Sequence, residues 1–580
     1  MDATQQPFQH EYLDDDLLNR LKKLNAVGVA LSSEKDGNRL LERILQAAKT
    51  LTYADGGTLY MKQGDTLKFE IMLNETLGIH KGGSSGEPIN FPPLPLYDEN
   101  NKPNLHIVAA CAAVQEETIN IPDAYEETRF ELSGMRDFDA KMHYRSKSFL
   151  TVPMKNHENE VIGVLQLINA TTPETKAIHP FTRSEQELVE SLASQAAIAL
   201  VNQRFIAEQK ELFESFIKLI ARAIDDKSPY TGGHCTRVPV ITTLLADAIA
   251  KTKTGPQEIR DFQMNEDERY ELWVAGMLHD CGKITTKEYV VDKATKLETI
   301  FDRVHLVDAR FELIKRDTEI AMLRAQIDTM KQGQTPDFTA METALDNTRQ
   351  TLDEERDFLH HSNKGGEFMA EADQNKIRQI AQRTWTDKNG QQRPLLFDDK
   401  ATEVLFYPPR ANEQRPETDL AKFRGEIENL CINKGTLRDR ERLHINHHIT
   451  STINMLESLP YPKHLKRVPE FAGGHHERMD GKGYPKGLKR RQMSLQARSM
   501  GIADVFEALT AGDRPYKPAM KLSVALTILG KLKLEGHIDP DIFDVFIHQK
   551  VYERYAKEYL KAEQIDEFDV TRLPGYSPPA

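Results

Sequence analysis

Residues 184–224, SEQELVESLASQAAIALVNQRFIAEQKELFESFIKLIARAI, contain neither glycine nor proline and keep apolar residues at helical spacing throughout. Such a run reads as one helix. A helix that long, with one apolar and one charged face, connects domains or pairs with a copy of itself more readily than it packs inside one globule. It divides the chain. At 580 residues there is room for two to four domains. Residues 1–20 form an acidic tail, 21–205 mix helix and strand signals, 184–224 connect, and from 211 the pattern is mostly helical. No run approaches the roughly 18 apolar residues of a membrane span, and the N-terminus lacks the basic-then-apolar pattern of a signal peptide. Four scattered cysteines, Cys111, Cys235, Cys281 and Cys431, form no CxxC pair and fit reduced thiols. A soluble, cytoplasmic protein with no membrane partner is therefore expected. A net charge of -13 argues against bulk nucleic-acid binding.

In the first region LLERILQAAKTL (40–51) has helical spacing. GGTLYMKQGDTLKFEIML (56–73) reads as two strands about a QGD turn, and SKSFLTVPMKNHENEVIGVLQLINA (146–170) repeats the hairpin pattern. INIPDAY (119–125), FDAKMHYRSKSFLTVPM (138–154) and VIGVLQLINA (161–170) resemble the GAF domains of cyclic-nucleotide phosphodiesterases. That resemblance implies a six-stranded sheet flanked by helices, which binds a small molecule or dimerises. The Asn-Lys…Phe…Asp-Glu signature of that type reads here Asn169, Ala170, Phe181, Glu185, Gln186. With part of it gone, cyclic-nucleotide binding is not the expectation; another small-molecule ligand and a dimerising, signal-relaying scaffold both stay open.

Beyond residue 211 the histidines become organised. In PYTGGHCTRV (229–238) a glycine turn leads into a helix on which His234 shares a face with Val238, Ile241 and Leu245. In ELWVAGMLHDCGKI (271–284) His279 lies below Leu272 and Ala275 on a helix that Gly282 can end, with Asp280 next. In RLHINHHITSTINML (442–456) His448 faces Thr452, Met455 and Leu456, whereas His447 faces Ser451 and Asn454, so His448 points inward. Asp504 shares a face with Ala497, Met500 and Ala508. A lone inward histidine is usually a hydrogen-bonded core residue. Seven inward groups, His234, His279, Asp280, His448, His475, His476 and Asp504, are another matter: burying them unpartnered costs on the order of several kcal/mol for each carboxylate. A shared cation removes that cost, and imidazole with carboxylate suits Fe, Mn, Zn or Ni. Cys235 and Cys281 point about 100° away around their helices and read as ordinary small residues.

HDCGK (279–283), HHERMDGKGYPKGL (475–488) and ADVFEALTAGDRPYK (503–517) resemble the three motif blocks of the HD-GYP family of HD phosphohydrolases. The fold class expected is α+β: a GAF-like α/β sensor domain (21–205), the connecting helix (184–224), and an all-α HD-type domain (211–575) interrupted by a mostly helical insertion (284–440). The resemblance implies a phosphodiesterase acting on cyclic di-GMP or a related cyclic dinucleotide, with two divalent metal ions, iron foremost and Mn, Ni or Zn as alternatives. Carried onto this chain, His234, His279, Asp280 and Asp504 bind one ion, and Asp280 bridges to a second held by His448, His475 and His476. Two six-coordinate ions keep positions open for water and phosphate oxygens. Three-metal members have a glutamate where this chain has Tyr230, so two ions are expected. Asp280 and Lys283 are the catalytic candidates; Lys283, Asp480, Tyr484, Arg514 and Lys517 are the substrate-binding ones. From Gly473 to Lys521 ten cations face five acids in a chain that is acidic overall, a balance suited to a doubly anionic substrate. Lys489, Arg490 and Arg491 read as a solvated basic face.

Within the insertion, 294–332 reads as a long charged helix, 369–385 as another and 391–419 as loop, with His360 and His361 at the surface. The unbroken stripe of 184–224 predicts a homodimer paired along that helix. A second function class remains: an adaptor that binds a partner through the GYP loop without useful turnover.

Overall fold

The structure, a computed structural model, describes residues 22, 24–34, 36–227, 232–299, 301–366, 368–397, 425–512 and 519–579. The acidic tail, Tyr230, Arg514 and Lys517 lie outside the described residues. The chain divides into two compact units, the first ending at Phe213 and the second beginning at Glu214.

In the first unit helix α1 (Gly37–Thr52) starts where the Asp36 carboxylate accepts the Arg39 N–H at 2.9 Å, satisfying a first-turn donor. The strands are β1 (Ala54–Gln63), β2 (Thr66–Asn74), β3 (Ile79–Gly82), β4 (Leu94–Pro95), β5 (Ile119–Ile121), β6 (Phe149–Lys155), β7 (Val161–Thr171) and β8 (Ile178–His179). They form one antiparallel sheet ordered β3-β2-β1-β7-β6-β5, with β4 added to β2 and β8 to β7. Both expected hairpins are present; the first closes between Gln63 and Thr66 with Gly64 at φ 58. Alternation along the strands sends Leu59 and Leu165 to one face, with α1 and the early turns of the long helix, and Tyr60 and Val164 to the other, with helix α2 (Val108–Gln115).

The GAF signature positions brace this fold. Asn169 Oδ1 accepts the N–H groups of Lys147 and Ser148 while its amide donates to Tyr144 and Arg145. Glu185 and Thr182 cap the start of the long helix reciprocally. After α3 (Ser133–Met142), that long helix is α4 (Arg183–Asp225). Its first turns bury Leu188, Val189, Leu192 and Ala196, whereas Phe205, Leu212, Phe216 and Leu219 farther along are more than half exposed.

The second unit is helical. Its longer helices are α5 (His234–Lys251), α6 (Glu266–Leu278), α7 (Val304–Lys331), α8 (Phe338–Asn363), α9 (Glu371–Ile380), α10 (Asp439–Glu457), α11 (Val468–Gly473), α12 (Leu495–Thr510), α13 (Leu522–Leu534), α14 (Pro540–His548) and α15 (Val551–Tyr559). Among the described residues no helix is long and apolar enough to cross a membrane.

The insertion departs from the expected pattern. Its first long helix begins at Val304, not 294. Residues 294–299 form a compact turn because Glu298 accepts the N–H groups of Ala294 and Thr295, and the buried Lys296 ammonium reaches the carbonyls of Leu430 and Ile432. The second helix stops at Ile380, after which Thr384–Thr386 pairs with Gln392–Pro394. Helix α8, unforeseen, pairs with α7 as a hairpin. The insertion has its own core, in which Leu297, Phe311, Leu352, Leu359, Ile377 and Leu395 pack together. His361 is exposed, and His360 bonds Asp308 at 2.7 Å.

Candidate metal centre

Five segments deliver the site. His234 opens α5, His279 ends α6, and Asp280 starts the tight turn Cys281–Thr285. His448 lies in the middle of α10, His475 and His476 follow the end of α11, and Asp504 sits on α12. Gly282 does not serve as a helix stop, since α6 has already ended at Leu278. It serves close packing: a Cβ there would lie 2.0 Å from the His448 carbonyl oxygen and 2.5 Å from Thr452 N. His448 is 2 % exposed while His447 is exposed, the phase read from helical spacing.

The side chains form two groups whose ligand atoms lie within 4.8 Å of one another: Asp280, His448, His475 and His476, and His234, His279 and Asp504. Asp280 joins them. Its Oδ2 is 3.2 Å from His234 Nε2 and 3.2 Å from His279 Nε2, and its Oδ1 is 3.3 Å from His448 Nε2. Asp504 Oδ1 is 3.2 Å from His234 Nε2 and 3.8 Å from His279 Nε2.

The outward ring nitrogens settle the orientation. His279 Nδ1 donates to the Gly276 carbonyl and His475 Nδ1 to that of Ala472, both at 2.6 Å, and His448 Nδ1 donates to Ile445. His234 Nδ1 donates to Glu507 at 2.5 Å, and Arg237 holds the other Glu507 oxygen at 2.6 Å. With Nδ1 carrying the proton, each Nε2 presents a lone pair inward. Two such lone pairs, on His234 and His279, face each other at 3.2 Å. Among the described residues, Asp280 Oδ1, His448 Nε2 and His475 Nε2 are buried without a hydrogen-bond partner. Acceptors facing acceptors in a buried cavity are what a cation corrects, so these residues fit a metal pair.

The titration directions agree. Burial, reinforced by the neighbouring histidines, holds His475 well below the usual imidazole range, and burial lowers His476 to about 4, leaving both rings neutral as ligands must be. At His234 burial is outweighed by the bonds to Asp280, Asp504 and Glu507, which raise it; the carboxylates call for a positive charge that a metal ion supplies in place of a proton. Burial disfavours the Asp280 carboxylate, yet the Lys283 ammonium holds it well below its ordinary range.

Of the remaining candidates, Lys283 Nζ lies 2.5 Å from Asp280 Oδ2. Tyr484 stacks on His476 with ring centroids 4.9 Å apart. Asp480 turns to its own loop, accepting from Arg478 and from the Lys482 N–H. Arg490 is no solvated cation: it pairs with Glu258, Asp539 and Asp541, and Arg498 joins the same network. Cys235 and Cys281 are buried outside both groups. Two carboxylates escaped the sequence reading. Glu507 braces His234, and its position one turn beyond Asp504 was the available signal. Glu477 accepts the N–H groups of Lys486 and Leu488 at 2.7 and 2.8 Å, folding the loop back on itself. That fold brings Gly483 so close to the Glu477 backbone that a Cβ would lie 2.5 Å from its Cα.

The GAF-domain family matches residues 36–200 and the HD-domain family residues 420–542. The chain carries a GAF domain followed by an HD domain. The HD match begins beyond most of the insertion, so His234, His279 and Asp280 are joined to it by geometry rather than by continuous sequence. Over 21% of this chain and 27% of the relative, it is 38% identical to the 3'3'-cGAMP-specific phosphodiesterase 1 of Vibrio cholerae. Over 13% of the chain and 17% of the relative it is 44% identical to a cyclic di-GMP phosphodiesterase of Pseudomonas aeruginosa. Over 27% and 40%, it is 30% identical to a cyclic di-GMP phosphodiesterase of Thermotoga maritima. The chain spans less than half the length of each of these curated relatives. Its HD domain is thus related, distantly and in part, to HD-GYP-type cyclic-dinucleotide phosphodiesterases.

Proposed function

We propose that the chain is a metal-dependent phosphodiesterase that opens cyclic di-GMP or a related cyclic dinucleotide to the linear dinucleotide, the mononucleotide or both, under control of its GAF domain. The observation that carries this reading is the buried set of inward lone pairs on His234, His279, Asp280, His448, His475 and Asp504, three atoms of which have no donor among the described residues. His234, His279, Asp280 and Asp504 would hold one divalent ion, and Asp280, His448, His475 and His476 the other, iron being the first choice and Mn, Ni or Zn the alternatives. When bound, such a pair supplies Lewis acidity and makes water nucleophilic near pH 7.

The chain's own groups do the rest. The carbonyls at Gly276, Ile445 and Ala472 and the Glu507 carboxylate hold the Nδ1 protons and so aim each Nε2 inward. The Lys283 ammonium orients the Asp280 carboxylate and adds positive charge where a phosphate diester would sit. The Tyr484 ring offers a flat face beside His476 for a base; burial keeps its hydroxyl protonated. Arg514 and Lys517 remain candidates for phosphate contacts on the strength of the motif alone.

In the GAF domain a cavity of about 440 Å³ is lined by Tyr60, Phe69, Phe91, Phe138 and Phe149 and, among the described residues, by one acid, Glu131, and no Lys, Arg or His. This supports a largely apolar small-molecule ligand that carries no negative charge. The exposed residues Ile198, Phe205, Leu212 and Leu219 recur every seven positions on α4, which supports pairing with a second copy.

The test is turnover by anaerobically iron-loaded and by manganese-loaded protein against a panel of cyclic dinucleotides, with elemental analysis approaching two ions per chain. A protein holding two ions that cleaves none of the panel would favour the adaptor class.

A further inference from the structure

Helix α4 ends at Asp225, and this residue and Lys227 just beyond it fasten the two segments that carry the first candidate ligands. Lys227 Nζ donates to the carbonyls of Lys283 at 3.1 Å, Ile284 at 2.6 Å and Thr286 at 2.6 Å. An ammonium has three N–H donors and no acceptor, so one side chain satisfies three carbonyls of the turn that begins at Asp280. On the other side the buried Asp225 carboxylate accepts the N–H of Cys235 at 3.3 Å, next to His234. The same turn is pinned to α10 where the Gly282 N–H donates to Thr452 Oγ1 at 2.9 Å, one helical turn beyond His448. The turn is therefore held between the end of α4 and the helix that carries His448.

We infer that Lys227 is a positioning residue: it clamps the 280–286 turn so that the Asp280 carboxylate and Lys283 ammonium keep their register, and it makes the end of α4 the mechanical input to the site. This rests on the metal-pair reading above. Lys227 touches no candidate ligand side chain; it acts through the backbone to which Asp280 and Lys283 belong. A displacement of the helix end stretches three hydrogen bonds at once, and the shared carboxylate moves with them. Contacts shared by one side chain can pass a small shift of an element on to a site.

Full-length Lys227→Met and Lys227→Gln test the clamp. The readouts are manganese affinity from titration of metal-depleted protein, amide hydrogen exchange across 280–286, and the split between kcat and KM. Lys227→Met is expected to weaken manganese binding by ~10-fold or more, the range for loss of an outer-shell partner. It should also speed exchange of the Lys283 and Thr286 amides, and lower kcat with KM changed by less than about twofold. Lys227→Gln, which keeps two donors, should fall between. Wild-type exchange and manganese affinity in Lys227→Met would overturn the inference. If that variant does not fold, wild-type exchange in Lys227→Gln does so instead. A native protein that cleaves no cyclic dinucleotide defeats the proposed function, while the exchange and manganese measurements still judge the clamp.

Discussion

Two buried aspartates, one in each unit, have almost the same exposure and opposite surroundings. Asp139 of the GAF domain, 2 % exposed, accepts from the Tyr125 hydroxyl at 2.8 Å, from the Ser146 N–H at 2.7 Å and from the Ser146 hydroxyl at 2.8 Å. Asp280 of the HD domain, 1 % exposed, has one ammonium on Oδ2, three imidazole lone pairs about it and, among the described residues, no donor on Oδ1. Burial alone does not separate structure from function. What separates them is whether the donors are already present: neutral donors make Asp139 a brace that closes the α3 end, whereas missing donors at Asp280 mark a place for a cation.

The largest expected effect breaks the comparison directly. Asp280→Asn should remove turnover and lower metal content, a loss beyond the ~10–100-fold that an outer-shell change costs. Asp139→Asn should leave metal content unchanged and lower the thermal midpoint, since one acceptor becomes a misplaced donor worth about 1–3 kcal/mol. Elemental analysis beside a melting curve reads both, and equal metal loss in the two would erase the distinction. Next in size, His448→Ala should lose activity and metal while the exposed His447→Ala changes neither; the reverse would shift the phase of α10 by one residue.

A smaller effect sharpens the role of the outer groups. Glu507→Gln keeps the shape but loses the charge opposite His234, and should weaken metal binding and turnover by ~10–100-fold. Isothermal titration with manganese checks it, and an unchanged affinity would reduce Glu507 to a partner of Arg237. The smallest effect is on pH. His476 titrates at about 4 in the folded chain because of burial, against about 6.5 unfolded. Between these values the unfolded chain binds a proton there that the folded chain does not, so this ring makes metal-free protein less stable as pH falls from about 6.5 to about 4. Urea midpoints across that window should flatten in His476→Asn; an unaltered slope would mean that the ring titrates alike in both states.

Helical phase and alternation made much of this legible. The 3.6-residue period sufficed to turn His448 inward and His447 outward, and the two hairpins of the sheet followed from alternation about QGD and a polar turn. Helix α8 escaped because its buried residues Leu345, Leu352 and Leu359 fall only once every two turns among charges. The turn at 294–299 escaped because it depends on Lys296 finding carbonyls at Leu430 and Ile432, which local propensity cannot register. Distance along the chain hid Glu507, whose partner is His234, and Lys227, whose partners are backbone atoms near Lys283. Arg490 was misread for the same reason: its acids, Glu258, Asp539 and Asp541, come from segments far on either side.

The insertion enters and leaves the HD domain at one point. The Thr436 hydroxyl donates to the Lys293 carbonyl at 2.9 Å, and Lys293 Nζ reaches both Asn429 and Glu441 at 2.8 Å. A segment whose two ends already touch behaves as a removable cassette. Loop-closure entropy grows only by about 0.6 kcal/mol for each doubling of length, so the length between those ends is nearly free to vary. A change in the length of this arm is therefore expected to leave the ligand-bearing helices on either side of it in place.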